Sequence, residues 1–526
     1  MPISNKALSA QGKPFIMLAG EVHNSNSSSL SYMEKIWDKA EALGMNSLLL
    51  PVTWELLEPE EGVFDFASVD GLIQQARERD KRLGLLWFGA WKNAQCYYAP
   101  AWVKTDTARF KRAEVEKGRK HLNLKDFYGL PYSSLSYLCM ETNAADAKAF
   151  RTLMRHLREV DAQQNTVVMV QVENEPGLQG AGREHSDLAD EQFASAVPAS
   201  LVEFLKAHTE NMAPDLRRVI ETGDDCGTWE EVFGETAEEV FSAYHIASRI
   251  ETVAAAGKAE YDLPMAVNCW LDRGQKPGQY PSGGPVARMM EIWKACAPSI
   301  DIFAPDIYVP NYCEICEQYL KLDNPLFVPE TATHSYSGPR MVYSVGHFHA
   351  AGYAPFGFEE MGQPFSAMQA YLFGMDTTDP ALKTPQNVEE YGWYGRTLNA
   401  MMPLLTAAYG TDRLQAVMYE AKERASMVFG SFGFNVTLDS PFLSRKDGVC
   451  LILKEAKDTF YILANGCGIA PFSTSEEQPC LDVLALEDGC FENGQWKADR
   501  RLNGDEVAIQ HCETPTLYKM KLFAYV

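Results

Sequence analysis

Thr166-Val-Val-Met-Val-Gln-Val-Glu173-Asn174-Glu175-Pro176 is an apolar, β-branched run that ends in two carboxylates, an amide and a proline. Val167, Val168, Met169, Val170 and Val172 suit a strand covered on both faces, as parallel strands in α/β proteins are. Pro176 has no N–H to give to a ladder and closes the strand. Glu173, Asn174 and Glu175 are thereby delivered to a strand's carboxyl end, the edge at which α/β sheets and barrels keep their chemistry. Pro325-Leu-Phe-Val-Pro-Glu330-Thr repeats the pattern, a short apolar run ending in a glutamate. In a chain with 71 Asp plus Glu, either glutamate alone reads as well as a helix N-cap or a solvated loop charge. Together, Glu175 and Glu330 suggest an acid/base and nucleophile pair. Glu173, two residues before Glu175 on the same strand, is expected to point to the same side and to play a structural or pKa-tuning part.

Outward from this strand, residues 14–405 alternate strand-like runs with longer amphipathic segments, the pattern of βαβ units around a parallel sheet. Strands are predicted at 15–20, 47–52, 83–88, 166–172, 265–270, 302–308, 326–329 and 353–358, and eight is the count of a TIM barrel. Helices are predicted at 32–43, 69–80, 145–160, 200–211, 237–256, 286–295 and 340–351. The segment 91–143 is long for a βα loop and carries Tyr97, Tyr98, Trp102, Phe127, Tyr128, Tyr132 and Tyr137, so it is expected to shape a substrate site. After residue 411 the runs shorten, at 425–430, 448–453, 459–463 and 517–525, and are separated by Gly, Asp, Asn and Pro turns. The fold class that follows is α/β: a (β/α)8 TIM barrel over residues 1–410 and a C-terminal all-β, sandwich-like domain over 411–526.

The 526 residues exceed what one compact core organises, and 46% hydrophobic with 22% charged residues is an ordinary globular composition. A formal net charge of −24 with no Lys/Arg cluster argues against a nucleic-acid partner and against steering of acidic substrates. The absence of an apolar run of membrane length argues against a transmembrane helix, and Met1 to Pro14 shows no basic-then-apolar leader. The twelve cysteines sit mostly in apolar runs, as reduced buried thiols do, so the expected location is the cytoplasm. Cys313-Glu-Ile-Cys316 lacks the second pair of a zinc ribbon and reads as structural thiols. No metal and no cofactor is expected, and homo-oligomerisation is left open.

Hydrolysis of a glycosidic bond needs one carboxylic acid to protonate the leaving oxygen and one carboxylate to meet the oxocarbenium-like carbon. Glu175 and Glu330 supply that pair, and Asn174 is placed to hydrogen-bond the sugar 2-hydroxyl. Glu21 and His23 at the end of the first strand, Trp91, Lys92 and Asn93 after the third, and Glu359-Glu360 after the eighth are further candidates for sugar contact or for structural roles.

With these residues the chain resembles the clan A glycoside hydrolases and, within them, glycoside hydrolase family 35, the β-galactosidase family, in its bacterial branch with a small C-terminal β-domain. The resemblance is carried by Leu18-Ala-Gly20-Glu21-Val-His23, Trp54-Glu-Leu-Leu-Glu58-Pro59-Glu-Glu-Gly62-Val-Phe64-Asp65-Phe66, Gln171-Val-Glu-Asn174-Glu175-Pro176 and Glu330. Ala304-Pro-Asp306-Ile-Tyr308 looks like the clan's tyrosine beside the nucleophile, and Arg500-Arg-Leu-Asn503-Gly504-Asp505-Glu506 looks like the branch's accessory domain. The resemblance implies a retaining exo-β-glycosidase, most of all a β-galactosidase acting on small oligosaccharides, with Glu175 as general acid/base and Glu330 as nucleophile. Substrate contacts are expected from Asn174, Glu21, Trp91, Asn93 and Tyr308. Two motifs depart from the family. Trp87-Phe-Gly-Ala-Trp91-Lys92-Asn93-Ala stands where galactose-recognising members carry Cys-Ala-Glu-Trp, and the first-strand motif ends in Asn24 rather than tyrosine. A β-glucosidase or another clan A β-glycosidase is therefore the alternative, and a non-catalytic carbohydrate-binding barrel the remote one.

Overall fold

The computed structural model describes residues 7–120, 122–123, 131–373, 375, 378, 383–509 and 512–526. Eight parallel strands form one sheet: β1 Met17–Glu21, β2 Ser47–Thr53, β3 Arg82–Phe88, β4 Val167–Val172, β5 Met265–Cys269, β6 Ile302–Pro305, β7 Phe327–Val328 and β8 Gly352–Tyr353. Each pairs with its sequence neighbour from β1 to β6, β7 pairs with β8, and β8 returns to β1. An Ile307–Thr331 bridge, with the Ile307 N–H donating to the Glu330 carbonyl at 2.9 Å, closes β6 onto β7. The result is the (β/α)8 barrel expected from the strand count.

Its principal helices are α1 Leu30–Ala42, α2 Ala67–Glu78, α3 Met140–Asp161, α4 Ala237–Lys258, α5 Met290–Cys296, α6 Tyr312–Gln318, α7 Ser337–Gly346 and α8 Val388–Ala400. α1 shows how the outer ring is specified. Ser29 caps it by accepting from the Tyr32 N–H, and Met33, Ile36, Trp37 and Ala40 repeat at helical spacing to bury one face. The barrel interior holds Met17, Ala19, Leu49, Leu86, Phe88, Met169, Ala266, Ile302, Ala304 and Phe327. A hairpin of Leu8–Ala10 and Lys13–Phe15 adds Leu8 and Ala10 to this cluster, so the residues expected as one strand at 15–20 are divided between hairpin and barrel. The last two strands are shorter than predicted. Beyond β8 the backbone turns left-handed at Gly357 (φ 62°) and enters a 3₁₀ turn, Phe358–Glu360. After β4, four short helices, from Asp187–Phe193 to Trp229–Phe233, precede α4.

A further helix, α9 Met402–Ala408, leads into nine strands. These are β9 Leu414–Met418, β10 Arg424–Val428, β11 Phe432–Thr437, β12 Val449–Lys454, β13 Thr459–Asn465, β14 Gly468–Ser473, β15 Cys480–Glu492, β16 Gln495–Leu502 and β17 Thr516–Tyr525. They make a six-stranded antiparallel sheet in the order β9-β12-β13-β17-β15-β16 and a three-stranded one, β10-β11-β14. Phe429, Phe432, Phe434, Ile452, Phe460 and Ile462 fill the space between the sheets. The outer face of the larger sheet, including Ala416, Leu451, Leu453 and Leu463, joins the barrel's own core.

The joint centres on α7, all ten of whose residues are buried. A methyl on Gly346 would lie 2.6 Å from the Ala416 Cβ, so only glycine lets helix and sheet approach this closely. Buried Arg340 donates from Nε to Glu420 at 2.7 Å, and Arg445 grips Glu390 of α8 at 2.7 and 2.8 Å. Among the described residues no helix is long and apolar enough to cross a membrane.

Candidate active site

The carboxyl ends of β1, β3, β4, β5, β6, β7 and β8 converge on one group of polar side chains. Glu175 and Glu330 are both in it, 7% and 5% exposed. Getting them there bends the backbone: Glu173 and Glu175 adopt φ of +63° and +46°, and Asn93 and Ala94 at the end of β3 adopt +51° and +56°. Side chains rarely take this left-handed conformation, and such strain gathers at functional sites.

The bend also separates Glu173 from Glu175. Instead of sharing a side, as strand alternation predicts, Glu173 accepts the N–H groups of Ala90 and Trp91 at 3.2 and 2.7 Å and lies near Asp146 and Arg249. Burial, and then the charge of Asp146, pushes its carboxyl well above the usual range. Its part is the structural one expected of it. The Trp91 ring is buried, with the Arg249 guanidinium 4.5 Å over one face. Its backbone braces the site, since the Trp91 carbonyl accepts from the Asn174 N–H at 3.2 Å.

Glu175 and Glu330 are held differently. The Asn93 amide donates to Glu175 Oε2 at 2.9 Å. Burial first, and then the charge of Glu330, pushes the Glu175 carboxyl up to about 7. Three donors converge on Glu330: Tyr308 OH to Oε2 at 2.8 Å, and the amides of Asn174 and Asn268 to Oε1, each at 3.3 Å. That arrangement suits a carboxylate, which can only accept. Lys92 Nζ donates to Asn174 Oδ1 at 2.9 Å and so orients the amide between the two acids. The Tyr308 ring lies against Phe373, centroids 4.6 Å apart and nearly parallel.

Glu21 is fully buried at the end of β1, with Glu330, Lys92, Glu175 and Glu359 as its charged neighbours. His23 turns aside to Glu360, 3.4 Å away, with its ring edge-on to Phe356. Asn268 was not foreseen. It is the one amide inside β5, where Oδ1 accepts the Glu175 N–H at 2.9 Å and Nδ2 reaches Asp306 at 2.8 Å besides Glu330. A buried amide within the apolar run Met265-Ala-Val-Asn268-Cys was its signal, because such a group needs partners.

Of the loop aromatics, Trp102 packs on Trp54 and Phe110, and Tyr132 and Tyr137 donate or accept within the loop and its neighbours. Tyr98 lies against Phe88, and Tyr97 is the exposed one of the described set. Phe127 and Tyr128 lie outside the described residues.

Comparison with known proteins places this arrangement in context. Residues 7–88 match the model of Glycosyl hydrolases family 35, and residues 395–512 match a Domain of unknown function (DUF5597). Residues of this chain are 33% identical over 67 positions to a beta-galactosidase of Xanthomonas manihotis, covering 13% of this chain and 11% of that protein. Among solved structures, a beta-galactosidase from Bacillus circulans sp. alkalophilus aligns at 14% identity and TM-score 0.46, over 73% of this chain and 56% of the other. The exo-beta-1,4-mannosidase Op5Man5 from Opitutaceae bacterium strain TAV5 aligns at 14% identity and TM-score 0.42, over 76% and 62%. The resemblance to family 35 read from the sequence is thus matched over the segment holding β1 to β3.

Proposed function

We propose that the protein is a retaining exo-β-glycosidase, that its preferred substrates are small oligosaccharides ending in a β-galactosyl residue, and that it works in the cytoplasm. The observation that carries the chemistry is the unequal holding of two buried acids at one barrel mouth. Glu175, pushed up to about 7, keeps a proton to give near neutral pH, while Glu330 faces three donors. In the first step Glu330 attacks the anomeric carbon as Glu175 protonates the departing oxygen. In the second, Glu175 takes a proton from water, which displaces Glu330 from the sugar. Asn174, shared between Lys92 and Glu330, stands where the sugar 2-hydroxyl would lie beside the nucleophile. Retention needs a carboxyl separation of roughly 5 Å, and the retaining course is taken from the resemblance to family 35.

The galactosyl preference rests on the likeness of residues 7–88 to family 35, and the altered motif after β3 makes β-glucosides the competing substrates. All twelve cysteines are free thiols, which supports a reducing compartment.

The test is chemical rescue. Glu175→Ala should still release a dinitrophenolate leaving group, accumulate glycosyl-enzyme, and with azide give the β-glycosyl azide. Glu330→Ala should fail with every leaving group and with azide give the α-anomer. Proton NMR of the product decides: an α-azide from Glu175→Ala reverses the two roles. A panel of nitrophenyl glycosides tests the sugar, and a kcat/KM higher for the β-glucoside than the β-galactoside overturns the galactoside assignment.

A further inference from the structure

We propose that Glu21 and Glu359, from the ends of β1 and β8, form an acceptor wall that grips neighbouring hydroxyls of the non-reducing sugar and selects neutral hexosides against uronides. The inference rests on the glycosidase reading and adds the residues that choose the sugar.

Glu21 is fully buried, yet neither carboxyl oxygen has a hydrogen-bond partner. A buried carboxyl group without partners is costly, and at the mouth of a barrel a ligand's polar groups are what can complete it. Its position and its charged neighbours say which site it belongs to. It stands at the carboxyl end of β1, and after burial the charges that act on it are those of Glu330, Lys92, Glu175 and Glu359, all from the same barrel mouth. Lys92 does not neutralise it by contact, because the ammonium donates to Asn174.

Glu359 is built to the same end from the adjacent strand. Its Oε1 is pinned by the His23 N–H at 3.0 Å and by the Asn26 amide, which leaves Oε2 buried and unpartnered. The backbone couples the two residues, since the Gly357 N–H donates to the Glu21 carbonyl at 2.8 Å, two residues before Glu359. Gly357 itself is irreplaceable there: it is left-handed, and a Cβ would lie 2.8 Å from the His23 ring. Three unpartnered carboxyl oxygens therefore belong to residues at the adjoining ends of β1 and β8. Hydroxyls both donate and accept, so they can complete these oxygens whether or not the carboxyl holds its proton, whereas a sugar carboxylate would add one more acid where burial already pushes Glu21 and Glu359 up.

The experiment combines binding and kinetics on the full chain. Saturation-transfer NMR with free galactose, glucose, galacturonate and glucuronate should show contact with the neutral sugars only, and Glu21→Gln should weaken it. No transfer from any neutral sugar, or equal transfer from the uronates, overturns the wall whatever the activity. In kinetics, Glu21→Gln and Glu359→Gln should each lower kcat/KM on the preferred nitrophenyl hexoside by roughly 10- to 100-fold, the cost of a charge-assisted hydrogen bond. The loss should vanish on the deoxy-glycoside lacking the hydroxyl that residue holds, and the uronide-to-hexoside ratio should rise. The same loss on every deoxy-glycoside would show a merely structural role and overturn the proposal. A wild-type chain that binds neutral sugars but hydrolyses no aryl glycoside would overturn the hydrolase reading and leave the wall standing.

Discussion

Two of the places where the chain buries charge treat it in opposite ways. At the joint between barrel and sandwich, the charges come in pairs: Arg340 with Glu420, and Arg445 with Glu390 and Asp447. At the barrel mouth, Glu21, Glu175, Glu330 and Asp306 crowd together with Lys92 as the close cation, and burial pushes Glu21, Glu175 and Asp306 above the usual carboxylate range. Paired charges at the joint fix how two units meet. Unpaired ones at the mouth are a standing instability that a substrate can relieve, the usual trade of stability for function.

Removing a charge at each place should therefore have opposite consequences. The largest effect is expected at the mouth, on activity. Glu175→Ala should lose roughly 100- to 10,000-fold on poor leaving groups, the worth of general acid help, and Glu330→Ala should lose more, on all of them. Steady-state kinetics over a series of aryl leaving groups reads this, and wild-type turnover in either variant would end the comparison.

Next comes the joint. Glu420→Ala leaves the Arg340 guanidinium buried without its partner, and should cost about 3 kcal/mol or more of stability with little change in kcat. Guanidinium unfolding together with the activity of the folded fraction separates the two effects.

A smaller effect sharpens the contrast through pH. The general acid must be protonated, so kcat/KM should fall as pH rises through about 7, the value to which Glu175 is pushed. Its stability contribution runs the same way: it is fully present below the ordinary value of 4.5 and lost as pH rises through about 7, because only the folded state holds the proton in that window. The least effect follows from this sign. Glu175→Gln should raise thermal stability at pH 8 by on the order of 1 kcal/mol and give no gain at pH 4. A destabilised glutamine variant at pH 8 would place Glu175 with the paired charges of the joint.

What could be read from the sequence follows the same division. β4 was legible because its residues are buried on both faces and Pro176 stops it, and Glu330 because an apolar run delivers it in the same way. The left-handed turns at Glu173 and Glu175 were not, since nothing in a glutamate's chemistry asks for positive φ; the surrounding structure imposes it. That is why Glu173 was placed on the wrong side. The cover of Trp91 was not legible either, because Arg249, which lies over one face of its ring, comes from distant α4. The sandwich was visible as short strands, but β12 and β13, buried along almost their whole length, give no sign of which neighbour covers their second face.

For β12 that neighbour is α7, the helix that follows the strand bearing Glu330. A helix buried all round has no surface on which to drift. Gene fusion commonly adds modules that can later be lost or exchanged, but here excision of the sandwich would take Ala416 and Leu451 out of the core cluster they share with Met341 and Val345 of α7, so loss of one unit would expose the core of the other.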